Sequence, residues 1–548
     1  MAVAGLIACS AMGCQGRLDA EATANSTPNK PGANGGTLVV DGEEIPVELT
    51  RAHLRRLTAI QFENTVRYAL GDVVQNEDLP TFGDDIPTIG LNNNPSLLRI
   101  NAVNVDSLYN ATQALAQASV QNTPSVRDCV AAADDACFEN LVDELGHKLW
   151  RRPLTAEEKA DLLQTRASMA NVATRAEQAE FILMALIASP NTLYRREIGQ
   201  PQGDATELDD FELASALSFT LWNAPPDEVL YQAAVAGELK SKDALVTHAK
   251  RMMEDPRAAD AFAEFFIDYL KIDGIFAKSK LASLGLTPEA RASLVQGIRQ
   301  DLREIFASPD ASLLDPFTTT SFHVDANGAS FFGVPVVQDQ GFEVVAMDPS
   351  QRLGVLSHPA FLSVHAGEGD SGIVKRGVFT LEQLLCVPLG APPANIAGRD
   401  DVPADFDDSK ETSRAVLTVR HSSQSACVGC HQVIDPAGFG FENYDSAGRY
   451  REVEKGNVAI DASGELKLGL ETLSYVNSVG YIDALQKSEA LRSCLSNTLF
   501  TYVMGDKPRL AEREALYQTF DQSNGRVDAL VEALVTTPSF SARTPSEQ

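Results

Sequence analysis

One short stretch carries the clearest chemistry in this chain: Ala426-Cys427-Val428-Gly429-Cys430-His431-Gln432. Its Cys-x-x-Cys-His spacing is the one that attaches a c-type haem. On a helix, Cys427, Cys430 and His431 share a face, because positions i, i+3 and i+4 are surface neighbours. Two thiols so placed can form thioethers with the haem vinyls while the imidazole ligates iron from below, the proximal role histidine takes in haem proteins. With 8 Cys and 8 His in 548 residues, a chance match is rare. A zinc site built from Cys427, Cys430, His431 and a fourth ligand such as Cys386 is the rival, but no second paired Cys/His element accompanies it. A thioredoxin-like redox pair would need a strand before the motif inside a βαβ unit, and the local pattern is different.

The sixth iron position decides the chemistry, since Met or His there makes an electron carrier and an open site permits O2 or peroxide chemistry. His365, in Phe361-Leu-Ser-Val-His-Ala-Gly367, is the first distal candidate. Met504 is a second, set against a simple core role, and His421 lies so near Cys427 in sequence that it is hard to place across the ring. Arg449 and Arg451 are candidates for charge-assisted bonds to haem propionates, or equally for ion pairs with protein carboxylates. Asp435-Pro436 is expected to stop the motif helix, and Gly438, Gly440 and Gly448 suit tight turns beside a flat cofactor. No phosphate-binding loop, Gly-x-Ser-x-Gly or His-Glu-x-x-His occurs.

The elements that must position these residues are helical. Arg55–Gly71 has helical apolar spacing, with Thr58 as N-cap and Gly71 as the stop. Thr155 and Glu158 form a capping box. Further helices are expected near 103–120, 174–188, 208–222, 227–236, 242–254, 257–271, 288–307, 374–386, 480–504, 510–522 and 526–537. Strand character is confined to 330–337, 342–346 and a hairpin about Ser463-Gly464 within 456–468. The fold class is mainly α, several bundled helical domains with a few short β excursions.

Composition is that of an ordinary globular protein, 44% hydrophobic and 7% aromatic. A balance of 45 Lys+Arg against 75 Asp+Glu gives a formal net charge of -30, which excludes a nucleic-acid partner that needs a basic stripe. No apolar run reaches the roughly 18 residues of a membrane span. The N-terminus does carry two lipobox-like sites, Leu6-Ile7-Ala8-Cys9 and Ala11-Met12-Gly13-Cys14, although no basic residue precedes Arg17. They point to export into the periplasm or cell envelope, with a lipid anchor on Cys9 or Cys14 as the sole membrane contact. Residues 19–36 read as a flexible tether. Four cysteines then remain. Cys129 and Cys137 are a natural local pair and Cys386 with Cys494 is the remainder, disulfides suited to an oxidising compartment; buried thiols are the alternative.

Several phrases occur together: Arg55–Gly71, Trp150–Thr155, Ser215–Asp227, Lys375–Cys386 and Cys427–Arg449. In this order they resemble the multidomain family, planctomycete and myxobacterial in type, built around the planctomycete cytochrome c-like domain with companion helical domains of unknown function. The resemblance implies an exported, mono-haem, largely helical protein and leaves its substrate open. It implies a signal segment at 1–18, a tether at 19–50, helical domains at 51–125, 137–198 and 206–334, a haem domain at 350–452 and a C-terminal helical domain at 470–542. The expected function is electron transfer through one covalent haem c, alone or as the redox module of an oxidoreductase, with a redox partner protein or an unidentified substrate. A haem-free surface scaffold or polymer-binding protein is the alternative from another class. A haem enzyme acting on peroxide or O2 is the third.

Overall fold

This computed structural model describes residues 34–51, 54–82, 90–95, 98, 100–132, 135–335, 341–390, 411–422 and 425–545. They are mainly helical, with short strands in small two- and three-stranded sheets. None of the described helices is long and apolar enough to cross a membrane. The chain divides into two compact units that interleave along the sequence. One comprises Tyr269–Leu302 and Leu313–Leu495; the other comprises the described residues up to Asp268, Arg303–Ser312 and the chain from Ser496 onward.

In the second unit the expected helix signals form. Thr58 accepts from the Gln61 amide and the Gln61 side chain returns to the Thr58 N–H, opening the Ala59–Leu70 helix. Gly71 closes it at φ 79. Thr155 and Glu158 cap Ala156–Ser168 in the same way. With Ala102–Asn122, Ala136–Trp150 and Arg175–Ile187, the first helix encloses an apolar core around Phe62, Leu115, Phe138, Leu145 and Ile182. Burying a side chain of that size contributes about 1.5–3 kcal/mol.

The tether expected over 19–50 gives way to structure from Asn34. Asn34–Val40 and Glu43–Glu48 form an antiparallel hairpin across Asp41-Gly42, with φ 50 and 84 at the turn. An Asp-Gly pair between alternating segments is a strong hairpin signal, and Val47 with Leu49 packs on Ala511. Residues 19–33, the signal segment, Cys9 and Cys14 lie outside the described residues.

In the first unit three local expectations are corrected. Ala329–Phe332 is a helical turn and not a strand, because a strand would send one of the adjacent Phe331 and Phe332 outward whereas both are buried. Glu343–Ala346 pairs instead with Ser321–Val324. No hairpin forms about Ser463-Gly464: Val458–Ala459 pairs with Val453–Glu454, and Gly464–Leu468 pairs with Glu471–Tyr475. The helix of the motif, Ser425–Phe439, runs through Pro436 and ends after the ring has removed one hydrogen bond to its last turn.

The glycines after the motif pack helices and close turns. Helix Ile373–Phe379 crosses Ser425–Phe439 so closely that a Cβ on Gly377 would collide with the Ile434 carbonyl, and one on Gly438 with the Ile373 carbonyl. Gly440 lies against the Tyr481 ring, and Gly448 turns at φ 79 against Pro359. Buried Arg376 then ties the chain after the helix in place. Its guanidinium donates to the carbonyls of Phe441, Tyr444, Leu362 and Asp445 at 2.8–3.1 Å.

Candidate functional site

Two consecutive helices, Ser413–Ser422 and Ser425–Phe439, build the site in the first unit. Cys427, Cys430 and His431 lie on the second, so the spacing does place them on one helical face. His431 and Asp435 are one turn apart, and the His431 Nδ1 lies 2.8 Å from Asp435 Oδ1. The end of the first helix brings His421 to the other oxygen, with Nδ1 2.5 Å from Asp435 Oδ2. The two imidazoles stack with centroids 3.5 Å apart and planes inclined by 27°. Asp435 is 7% exposed, against 18% for His421 and 22% for His431, so the carboxylate is buried and the rings reach solvent.

The electrostatics follow from that geometry. Burial pushes the Asp435 carboxyl up, but the bonds from His421 and His431 outweigh it and hold the group below the ordinary carboxylate range. An ionised carboxylate accepts from Nδ1–H on each ring, which leaves each Nε2 with its lone pair in the neutral tautomer. This is the orienting contact that ligating histidines make through their second nitrogen.

The other candidates are placed as follows. His365 is buried, donates from Nε2 to the Leu270 carbonyl at 2.9 Å and stacks on Phe379 at 3.8 Å. Burial holds it at about 3, so it is neutral at physiological pH. Met504 ends the Glu489–Met504 helix, is 1% exposed and belongs to the second unit. Arg449 donates to the Leu284 carbonyl and lies over the Phe331 ring. Arg451 faces Glu442 at 3.6 Å, and its Nε and Nη2 have no hydrogen-bond acceptor among the described residues. Cys129 is bonded to Cys137 and Cys386 to Cys494, with Cα separations of 5.2 and 5.3 Å. The second disulfide removes Cys386 as a fourth zinc ligand.

With this geometry in place, two segments of the chain match known families. Residues 208–334 match PSD4, described as a protein of unknown function (DUF1592), and residues 352–454 match PSCyt3, described as a protein of unknown function (DUF1588). The chain is a multidomain protein that carries two domains of unknown function. The PSCyt3 match contains the whole of the 427–431 motif and Asp435. No curated protein and no solved structure matches the chain.

Proposed function

We propose that this chain is an exported, lipid-anchored, mono-haem c-type protein that moves electrons, alone or as the redox module of an oxidoreductase. One observation carries the reading: Cys427, Cys430 and His431 share a helix face, and Asp435 holds the His431 ring by Nδ1 with Nε2 left as donor. The donor set fits a covalent haem, which Cys427 and Cys430 would hold by thioethers and His431 would ligate through Nε2. A bound haem supplies a one-electron iron couple. The chain's own contribution is to hold the imidazole: Asp435 fixes its tautomer, and His421 stacked on one side restricts its rotation. Arg451 keeps donors suited to a propionate, whereas Arg449 is engaged by Leu284. The name PSCyt3 supports the cytochrome element of the reading, the two disulfides support an oxidising compartment, and the lipobox-like sites at Cys9 and Cys14 support the anchor.

The test is the pyridine haemochrome spectrum of protein made with cytochrome c maturation. A covalent c-type band, lost in Cys427→Ala/Cys430→Ala, is the expected result, and its absence from the unsubstituted protein refutes the reading. A second reading, a haem enzyme acting on peroxide or O2, is favoured by His365, whose Nε2 is engaged by Leu270 and not held out as a sixth ligand. CO binding to the reduced protein distinguishes the two.

A further inference from the structure

The pairing of His421 with His431 has chemistry of its own. Two imidazoles from successive helices meet the two oxygens of one buried carboxylate, and one nitrogen from each ring with one carboxylate oxygen all lie within 4.8 Å of one another. Rings stacked side by side direct their nitrogens to the same region, so His421 and His431 cannot be ligands on opposite faces of one haem. They suit neighbouring positions around a small ion. An ion held by Nδ1 of both rings and by Asp435 takes the place of the protons they share, and each ring changes tautomer by carrying its proton on Nε2 instead. Partial exposure of both rings opens a path from solvent.

We propose that the haem-free chain binds one divalent transition-metal ion of the zinc, cobalt, nickel or copper class through His421, His431 and Asp435. Imidazole nitrogens are ligands of borderline softness, and two of them favour these ions over calcium or magnesium, which take oxygen ligands. Three protein ligands leave open positions for water. The proposal does not rest on the haem reading. An imidazole that has taken up iron is unavailable to a second ion, so the two occupants exclude each other at His431.

The experiment uses the untagged full chain made without cytochrome c maturation, stripped with chelator and titrated with Co2+ followed by visible absorption, then with Zn2+ as competitor. One equivalent of Co2+ per chain, displaced by Zn2+, is the expected result. His421→Ala and Asp435→Asn should each weaken binding by roughly tenfold or more, the scale on which a site loses affinity when a ligand-shell contact is removed. His421→Gln, which keeps polar bulk on the helix, serves where the alanine variant melts early by circular dichroism. No binding by the unsubstituted chain, or binding indifferent to both His421 variants, overturns the proposal. Absence of a covalent haem band from matured protein defeats the haem reading and leaves this titration unaffected.

Discussion

Asp435 is the residue on which both imidazoles depend, and its place in the chain explains how each contact arises. One of its partners is four residues back on the same helix, where helical geometry alone supplies the contact. The other comes from a different helix and depends on how Ser413–Ser422 packs against the motif helix. Replacing Asp435 by Asn removes the charge from two hydrogen bonds at a carboxylate that is 7% exposed. Charge-assisted bonds of this kind contribute about 1.5–3 kcal/mol each, so urea unfolding of Asp435→Asn should show a loss of about 2 kcal/mol or more. A change under about 0.5 kcal/mol, the range of ordinary surface substitutions, would mean the contacts are incidental. Cys427, Cys430 and His431 could be read directly, since their relation is local and fixed by helical period. His421 was hard to place, because only tertiary packing sets its ring beside His431. Arg449 and Arg451 were indistinguishable in sequence, and the carbonyl of Leu284 separates them in the fold.

At the scale of elements, the motif helix is held by a close crossing. Gly377 and Gly438 each face a carbonyl of the opposing helix, where a methyl group has no room. Gly377→Ala and Gly438→Ala should therefore destabilise by about 1–3 kcal/mol, the usual cost of overpacking a well-packed contact. Gly429 lies on the same helix, and a Cβ there meets nothing within 4 Å. Gly429→Ala should stabilise the haem-free chain by up to about 1 kcal/mol through helix propensity. Melting curves of the three variants check the contrast, and equal effects at Gly429 and Gly438 would contradict the crossing. Helices with apolar period and capping residues were readable from sequence, as Thr58 and Thr155 show. Short strands were read less well: the one at Glu343–Ala346 was placed, but the two-residue Gly469-Leu470 turn was passed over. Gly464–Leu468 finds Glu471–Tyr475 and not the segment before it. The hairpin at Asn34–Glu48 was hidden by its polar setting, although Asp41-Gly42 announces it.

At the scale of the whole molecule, a buried ion cluster ties stability to pH. The second unit holds a buried carboxylate, Glu197, bonded to Arg195 at 2.5 Å and Arg543 at 2.9 Å, with Arg55 at 3.8 Å. These arginines join Leu54–Arg56, Tyr194–Arg196 and the C-terminal strand Ala542–Arg543. Burial pushes the Glu197 carboxyl up, and the three guanidinium groups reverse this and bring it down to about 2. A folded-state value below the unfolded one means the contribution is complete above the unfolded value of about 4.5 and is lost as pH falls from there toward 2. The melting temperature should therefore drop across that window. Glu197→Gln should flatten the dependence and destabilise at pH 7, since breaking a buried pair costs about 3–5 kcal/mol. Parallel pH profiles for the two proteins would contradict the assignment.

That cluster lies outside the unit that holds the 427–431 motif, which falls within the PSCyt3 match. The central claim is that Cys427, Cys430 and His431 hold one covalent haem. Its most direct test is intact-protein mass, read with the haemochrome spectrum, after production with cytochrome c maturation. The account predicts the mass of one added haem that survives denaturation, reduced to none in Cys427→Ala/Cys430→Ala. An unmodified mass in the unsubstituted protein would contradict it.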